Sequence, residues 1–398
     1  MSYTLTDISV SELPAATPPA KISERITSVD ILRGVVMVLM AIDHVRVYSG
    51  IPAGGPTAGV FFTRWITHFC APAFVFFAGT SAFLHGAKLG DKKLLAKYLV
   101  TRGLLLVVFE LTVIRLAWTF NFDYSNFLLA GVIWILGWCM VLLAGLLWLP
   151  GWIVGVLGLA VMFLQQVFSV LPRLAPEAFR NSAGWIWEFI YPAGLPRLES
   201  ISILYVLVPW IGVMAAGYGF GAIMSREKED RRRICLLIGL TATGLFLLVG
   251  GIAAFHGSAA AGGKPALFRL LDQQKYPASQ LYLLMTLGPI IALLPFAERV
   301  RGWLPSALST FGRVPLFYYL LHIPLIHATA LIVWCLRDKT FHSDWFATAP
   351  FVSAPPETRW SLLLLYVVFS VDIAILYFPC RWFASIKAKK RGGWASYL

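Results

Sequence analysis

The sequence predicts an all-α fold: a polytopic integral membrane protein of about ten transmembrane helices, with both termini in the cytosol. Three observations predict it. Hydrophobic residues make up 58% of the 398 and charged residues 13%, whereas soluble domains hold roughly half apolar and about a quarter charged residues. Apolar stretches of crossing length, ~20 residues, recur along the chain. The basic residues behind the net charge of +13 fall mainly in short segments between those stretches, the pattern that sets topology in a bilayer rather than one that binds nucleic acid.

Residues 1–28 are polar and rich in Ser, Thr, Pro and Ala, with no apolar run that would serve as a signal-peptide core, and they read as a flexible cytosolic tail. Apolar stretches then follow at 29–49, 60–86, 98–119, 127–148, 152–170, 201–224, 234–255, 280–297, 314–336 and 361–383. Only Leu149, Pro150 and Gly151 separate the fourth from the fifth, so a single bent helix is an alternative there. Together the stretches form one transmembrane domain over 29–386, followed by a basic cytosolic tail at 387–398. The cation-rich connections, among them Lys92, Lys93, Lys97, the run Arg231 to Arg233, and Arg299 and Arg301, alternate with long, cation-poor ones, so both termini lie inside. The long outer loops near 171–200, 256–279 and 337–360 carry Trp, Tyr and Pro; they are expected to anchor at the interface, with folding over the outer mouth as the alternative. Gly217 with Gly221, and Gly151 with Gly155, have the small-xxx-small spacing of close helix packing. The five cysteines show no CxxC pair, so neither a disulfide framework nor a metal site is expected.

Ionisable groups inside apolar stretches mark function, because each costs at least ~2.5 kcal/mol to insert unless paired or solvated. The first stretch concentrates them: Asp30 and Arg33 near its start, Asp43, His44 and Arg46 near its end. Arg33 and His44 are eleven residues apart, about three turns, so they share a helix face and lie about 16 Å apart along the axis. That suits a ligand with an anionic head at the cytosolic face and a thin arm reaching inward, the shape of acyl-coenzyme A, with acetyl-CoA the expected donor and no permanently bound cofactor. Arg33 and the inner-face cations Arg102 and Arg313 would meet its phosphates. His44, whose unperturbed pKa near 6.5 suits general-base work, would take a proton from the attacking hydroxyl or amine. The same residues also suit a structural role, with Arg33 reaching the headgroups and His44 bonding a neighbouring helix.

The segment from Ser28 to His44, SVDILRGVVMVLMAIDH, resembles the first-helix signature of the transmembrane acyltransferase superfamily, an Arg followed by ten residues and a His. That superfamily includes the acyltransferase type 3 enzymes and the lysosomal heparan-glucosaminide N-acetyltransferase group. APAFVFFAGTSAFL from Ala71, LYLLMTLGP from Leu281 and GRVPLFYYLLHIPLIH from Gly312 extend the likeness toward bacterial heparan-glucosaminide acetyltransferase-like membrane proteins, over most of residues 25–330. The resemblance implies acyl transfer from acyl-CoA to an extracytoplasmic sugar or glycan, in a bacterial inner membrane. It carries Arg33 and His44 over residue by residue and places His322 in a shared helix motif without fixing its role. The lysosomal group is thought to use a loop histidine after this helix; the loop at about 49–60 here has none, so that role does not transfer.

A second group of candidates follows from helix geometry. Arg64 and His68, four apart, share a face and are candidates to position the acceptor, or to counter Asp43 or Glu110. Glu110 and Arg115, candidate substrate-binding groups, point about 140° apart and are expected to pair with other helices. His322 and His327 differ by five, so at most one of them faces a given cavity, and Asp372 needs a buried partner. Asp43 sits at the depth of His44 as a candidate catalytic group, but adjacent positions diverge by about 100°, and Arg46 at i+3 is its better partner. No P-loop, HExxH or dinucleotide-binding fingerprint is present. The rival function is a transporter or flippase whose buried charges line a pathway.

Overall fold

The computed structural model describes residues 26–54, 57–125, 128–196, 198, 200–256, 265–347 and 354–389. Most of the expected N-terminal tail and residues 390–398 of the basic tail lie outside these. The chain is a helical bundle. In order, it runs α1 (Thr27–Tyr48), α2 (Ala58–Trp65), a 3-10 turn (Ile66–Phe69) leading into α3 (Cys70–Leu89), α4 (Lys92–Phe109), a π turn (Glu110–Ile114), α5 (Arg115–Thr119), α6 (Val132–Leu146), α7 (Gly151–Phe163) and α8 (Val167–Val170). It continues with α9 (Glu177–Ile190), α10 (Leu207–Met224), α11 (Lys228–Leu245), α12 (Gly251–His256), α13 (Ala266–Leu271), α14 (Gln280–Ala297), α15 (Trp303–Arg313), α16 (Pro315–Asp338) and α17 (Leu362–Lys389). Two three-residue strands, β1 (Leu128–Ala130) and β2 (Ile201–Ile203), pair in parallel.

Local sequence explains several boundaries. α3 ends where Gly90 takes a left-handed φ of 68°, and Asp91 accepts hydrogen bonds from the Lys93 and Leu94 amides to start α4. Ser279 caps α14 through the Tyr282 amide, and Pro315 opens α16 at a position that needs no amide donor. Helix occurs in each of the ten apolar stretches. Among the described residues, six helices are long and apolar enough to cross a membrane by themselves, or seven if the pair bent by 60° at 163–167 is one span. The chain also breaks between α6 and α7, so the fourth and fifth stretches form separate helices rather than one bent rod.

α1 is the axis of the bundle, packed against α3, α14, α15, α16 and α17 and buried along most of its length. α15 lies in what the sequence shows only as a short basic connection, and glycine permits its contact with α1. A Cβ on Gly34 would stand 1.9 Å from the Leu308 carbonyl oxygen, and one on Gly312 would stand 1.8 Å from that of Asp30. Gly217 packs on the Phe76 backbone and Gly155 on Gly219, the close approach their spacing predicts. Described parts of the long loops after α12 and α16 pack on the bundle. Trp360 donates its amide to the Ser49 carbonyl, and the Phe346 ring packs tilted against Tyr48 and edge-on against His327. Lys275 and Tyr276 reach a cavity beside α1.

Candidate active site

His44, near the C-terminal end of α1, is held by a histidine 278 residues away. Its Nδ1 lies 2.7 Å from His322 Nε2, with the rings stacked at 4.8 Å, while Trp118 and Tyr319 present edge-on faces to it. The Nδ1 of His322 lies 2.7 Å from the Tyr319 carbonyl oxygen and 3.2 Å from that of Tyr318. A carbonyl only accepts, so those contacts assign the His322 proton to Nδ1 and leave its Nε2 as an acceptor. His44 must then donate from Nδ1, which leaves its Nε2 as the unprotonated nitrogen. The ring that carries it lines a cavity of about 90 Å³ bordered by Asp43, Thr67, Glu110, Tyr205, Lys275, Tyr276 and Tyr319.

Asp43 does not orient His44. Its carboxylate is clamped by Arg46 Nε at 2.9 Å and Arg64 at 2.6 Å, so the expected Asp43–Arg46 pair forms and Arg64 joins it from α2. Arg46 also donates to the Ile51 carbonyl. His68 is buried beside Tyr282 and does not border the cavity; its Nδ1 has no hydrogen-bond partner. Glu110 borders the cavity, but its carboxylate accepts the Ile133 and Trp134 amides at 2.9 and 3.1 Å and so caps the start of α6. Removing that cap with Glu110→Ala is expected to cost about 1–2 kcal/mol, seen as a lower unfolding midpoint of the detergent-solubilised protein; an unchanged midpoint would contradict the capping role. Arg115, away from the cavity, binds the Asn121 and Asp123 carbonyl oxygens and lies over the Tyr124 ring, holding the turn after α5. Glu110 thus bonds another helix, as expected, while Arg115 bonds Thr119 of its own helix and the turn that follows it. His327 stacks between Tyr48 and Phe120 away from His44, and Asp372 accepts from the Thr329 hydroxyl at 2.9 Å.

At the opposite end of α1 a second cavity, of about 270 Å³, brings together Arg33, Arg102 and Arg313, the cations expected to meet a donor, and adds His85 and Lys387. Arg33 donates to Ser81 Oγ at 2.7 Å and to the Gly312 carbonyl, and faces Asp30 at 3.7 Å; Arg102 donates to the Tyr98 hydroxyl. A third, apolar cavity of about 60 Å³ lies between the two. It shares Arg102, Leu136 and Pro315 with the cationic cavity, Val132 and Tyr319 with the His44 cavity, and Phe74 with both. The cavities therefore form a row along α1 from Arg33 to His44.

Lys275 and Tyr276 are not legible in the sequence as site residues because they sit in a connection without periodicity, and Tyr205 because nothing marks one uncharged aromatic within the apolar stretch 201–224. Burial opposes ionisation of the Tyr276 phenol, yet the Lys275 and Arg64 cations and a hydrogen bond with Tyr205 outweigh it and hold the group below its ordinary range. These groups make the mouth of the His44 cavity polar and cationic, while its far side opens toward an apolar passage.

No curated protein matches the chain. The sequence profile described as heparan-alpha-glucosaminide N-acetyltransferase, catalytic, matches residues 25–255, which include all of α1 and end before α16 and His322. That match covers more than half of the 398 residues and contains Arg33, Asp43, His44 and Arg64 in the geometry just described, so this integral membrane protein belongs to the heparan-alpha-glucosaminide N-acetyltransferase catalytic family.

Proposed function

We propose that the protein transfers an acetyl group from acetyl-CoA, entering at the Arg33 end, to a hydroxyl or amine of a sugar or glycan presented at the His44 end. With both termini cytosolic, this carries acetyl from a cytosolic donor to an extracytoplasmic acceptor in a bacterial inner membrane. The observation that carries the proposal is the row of cavities, cationic at one end, apolar in the middle and histidine-bearing at the other. The donor's phosphates lie against Arg33, Arg102 and Arg313, its pantetheine arm passes Phe74, and the thioester reaches His44.

There the acceptor oxygen or nitrogen attacks the thioester carbonyl as His44 Nε2 takes its proton. The tetrahedral intermediate collapses, the C–S bond breaks, and the CoA sulfur recovers the proton from the imidazolium. His322 acts as a positioning residue: its carbonyl-bound Nδ1–H fixes the His44 tautomer and its Nε2 receives the His44 Nδ1–H throughout. Asp43, next to His44 and pinned by two arginines, supplies fixed negative charge near the imidazolium without accepting its proton.

The test is CoA release from acetyl-CoA by the purified protein with a panel of glycans and amino sugars. Acceptor-dependent release supports the proposal. Movement of the sugar across a vesicle membrane with no CoA released would replace it with transport. The donor placement has its own expected outcome: Arg102→Ala with Arg313→Ala raises KM for acetyl-CoA by roughly tenfold or more and changes kcat little, since contacts with charged groups contribute ~1.5–3 kcal/mol each. An unchanged KM would remove these cations from the donor site.

A further inference from the structure

Apart from the row along α1, a cavity of about 290 Å³ opens between α7, α10, α11 and α14. Its walls include Val156, Leu159, Phe220, Ile238, Leu284 and Ile291, and Gln280 is its sole amide side chain among the lining residues. On α14 it extends from Gln280 to Ile291, about 16 Å along the axis at ~1.5 Å per residue. α10, α14 and the continuous rod of α11 and α12 are among the helices long and apolar enough to cross a membrane. A dry apolar groove at that depth takes hydrocarbon rather than water.

At the His44 end of the groove, beside the start of α14, lies a reciprocal amide pair. Gln166 and Gln280 bond each other at 2.6 and 2.9 Å, and Gln280 also donates to the Phe163 carbonyl. Immediately before α14 the Ser279 amide bonds the Gln274 carbonyl at 3.0 Å, closing a turn that carries Lys275 and Tyr276. Both residues border the His44 cavity, and among the described residues no carboxylate lies within ion-pair distance of the Lys275 ammonium. An apolar trough therefore ends within one turn of a cation at the catalytic mouth.

We propose that this groove holds the isoprenoid tail of a polyprenyl-phosphate-linked sugar, that Lys275 meets the phosphate, and that the attached sugar is the acetyl acceptor. The inference rests on the acetyl-transfer proposal and names its acceptor class. The chemistry selects the occupant: a soluble glycan has no use for the groove, and a neutral glycolipid brings no anion to Lys275. A molecule with tail, anion and sugar in that order fills the groove, meets Lys275 and brings its sugar to the His44 cavity.

The experiment uses the full chain in nanodiscs of phosphatidylethanolamine and phosphatidylglycerol. A polyprenyl phosphate with a photoreactive tail is expected to label α7, α10, α11 or α14, to be displaced by unmodified polyprenyl phosphate and not by added phosphatidylglycerol, and to lose its labelling in Leu284→Trp. Leu159→Trp, on α7, serves if the first variant fails to fold. The polyprenyl-linked sugar should also be acetylated with kcat/KM roughly tenfold or more above the same sugar on a butyl phosphate, as expected for a tethered acceptor. Labelling elsewhere, equal displacement by phosphatidylglycerol, or equal kcat/KM for the two sugars overturns the proposal. Absence of CoA release with either sugar overturns acetyl transfer itself, while the labelling pattern still reports on the groove.

Discussion

Replacing His44 by alanine is expected to lower kcat/KM for acetyl transfer by roughly 10²–10⁴-fold, the range that a positioned general base contributes. The substitution removes the one ring nitrogen that the hydrogen-bond chain from the Tyr319 carbonyl through His322 leaves unprotonated at the cavity. It also strands the His322 Nε2, a buried acceptor whose lost partner costs about 1–3 kcal/mol, so activity must be compared at matched folded fraction. His322→Ala should act through His44, lowering kcat with little change in KM for acetyl-CoA. The double variant should lose no more activity than His44→Ala, because the pair works as a unit. Additive losses would mean that the histidines act separately, and a His44→Ala protein within a few-fold of wild type would place the base elsewhere.

Asp43→Ala is expected to be the most destabilising single change at the site. The carboxylate binds Arg46 at 2.9 Å and Arg64 at 2.6 Å, and the three side chains retain only 9%, 15% and 17% exposure. Taking the anion away leaves two guanidinium groups facing each other in a poorly solvated setting, and breaking a buried pair in this way costs about 3–5 kcal/mol. A lower unfolding midpoint, partly restored by adding Arg64→Met, is the expected result. An Asp43→Ala midpoint equal to wild type would show that water compensates the arginines and that the clamp is not structural.

How much of this was legible in the sequence differs by element. The Arg33–His44 face follows from helical periodicity and runs along the row of cavities; the Asp43–Arg46 pair follows from its i, i+3 spacing and forms. The convergence of Arg102 and Arg313 on Arg33 was expected from their place at the cation-rich ends of their stretches. What periodicity cannot supply is contact between distant segments. The His44–His322 bond joins residues 278 apart, and nothing in either helix alone identifies the other as its partner. Glu110 looked like a buried charge seeking a cation, and it is instead satisfied by two backbone amides of α6, a partner type with no residue-level signature. α15 was hidden because a short amphipathic helix between basic residues reads as a connection; the matched glycines Gly34 and Gly312 were its only trace. Lys275 and Tyr276 reach the site through a turn whose folding depends on α14 and not on its own pattern.

The most direct measurement is the experimental structure of the protein with a non-transferable acetyl-CoA analogue, its thioester replaced by a ketone. The account predicts phosphate density against Arg33, Arg102 and Arg313, the pantetheine arm past Phe74, and the carbonyl carbon within about 3–5 Å of His44 Nε2, close enough to share an attacking atom with the base. An analogue bound with its carbonyl remote from His44, or lying outside the row of cavities, would contradict the assignment of this row as the acetyl path.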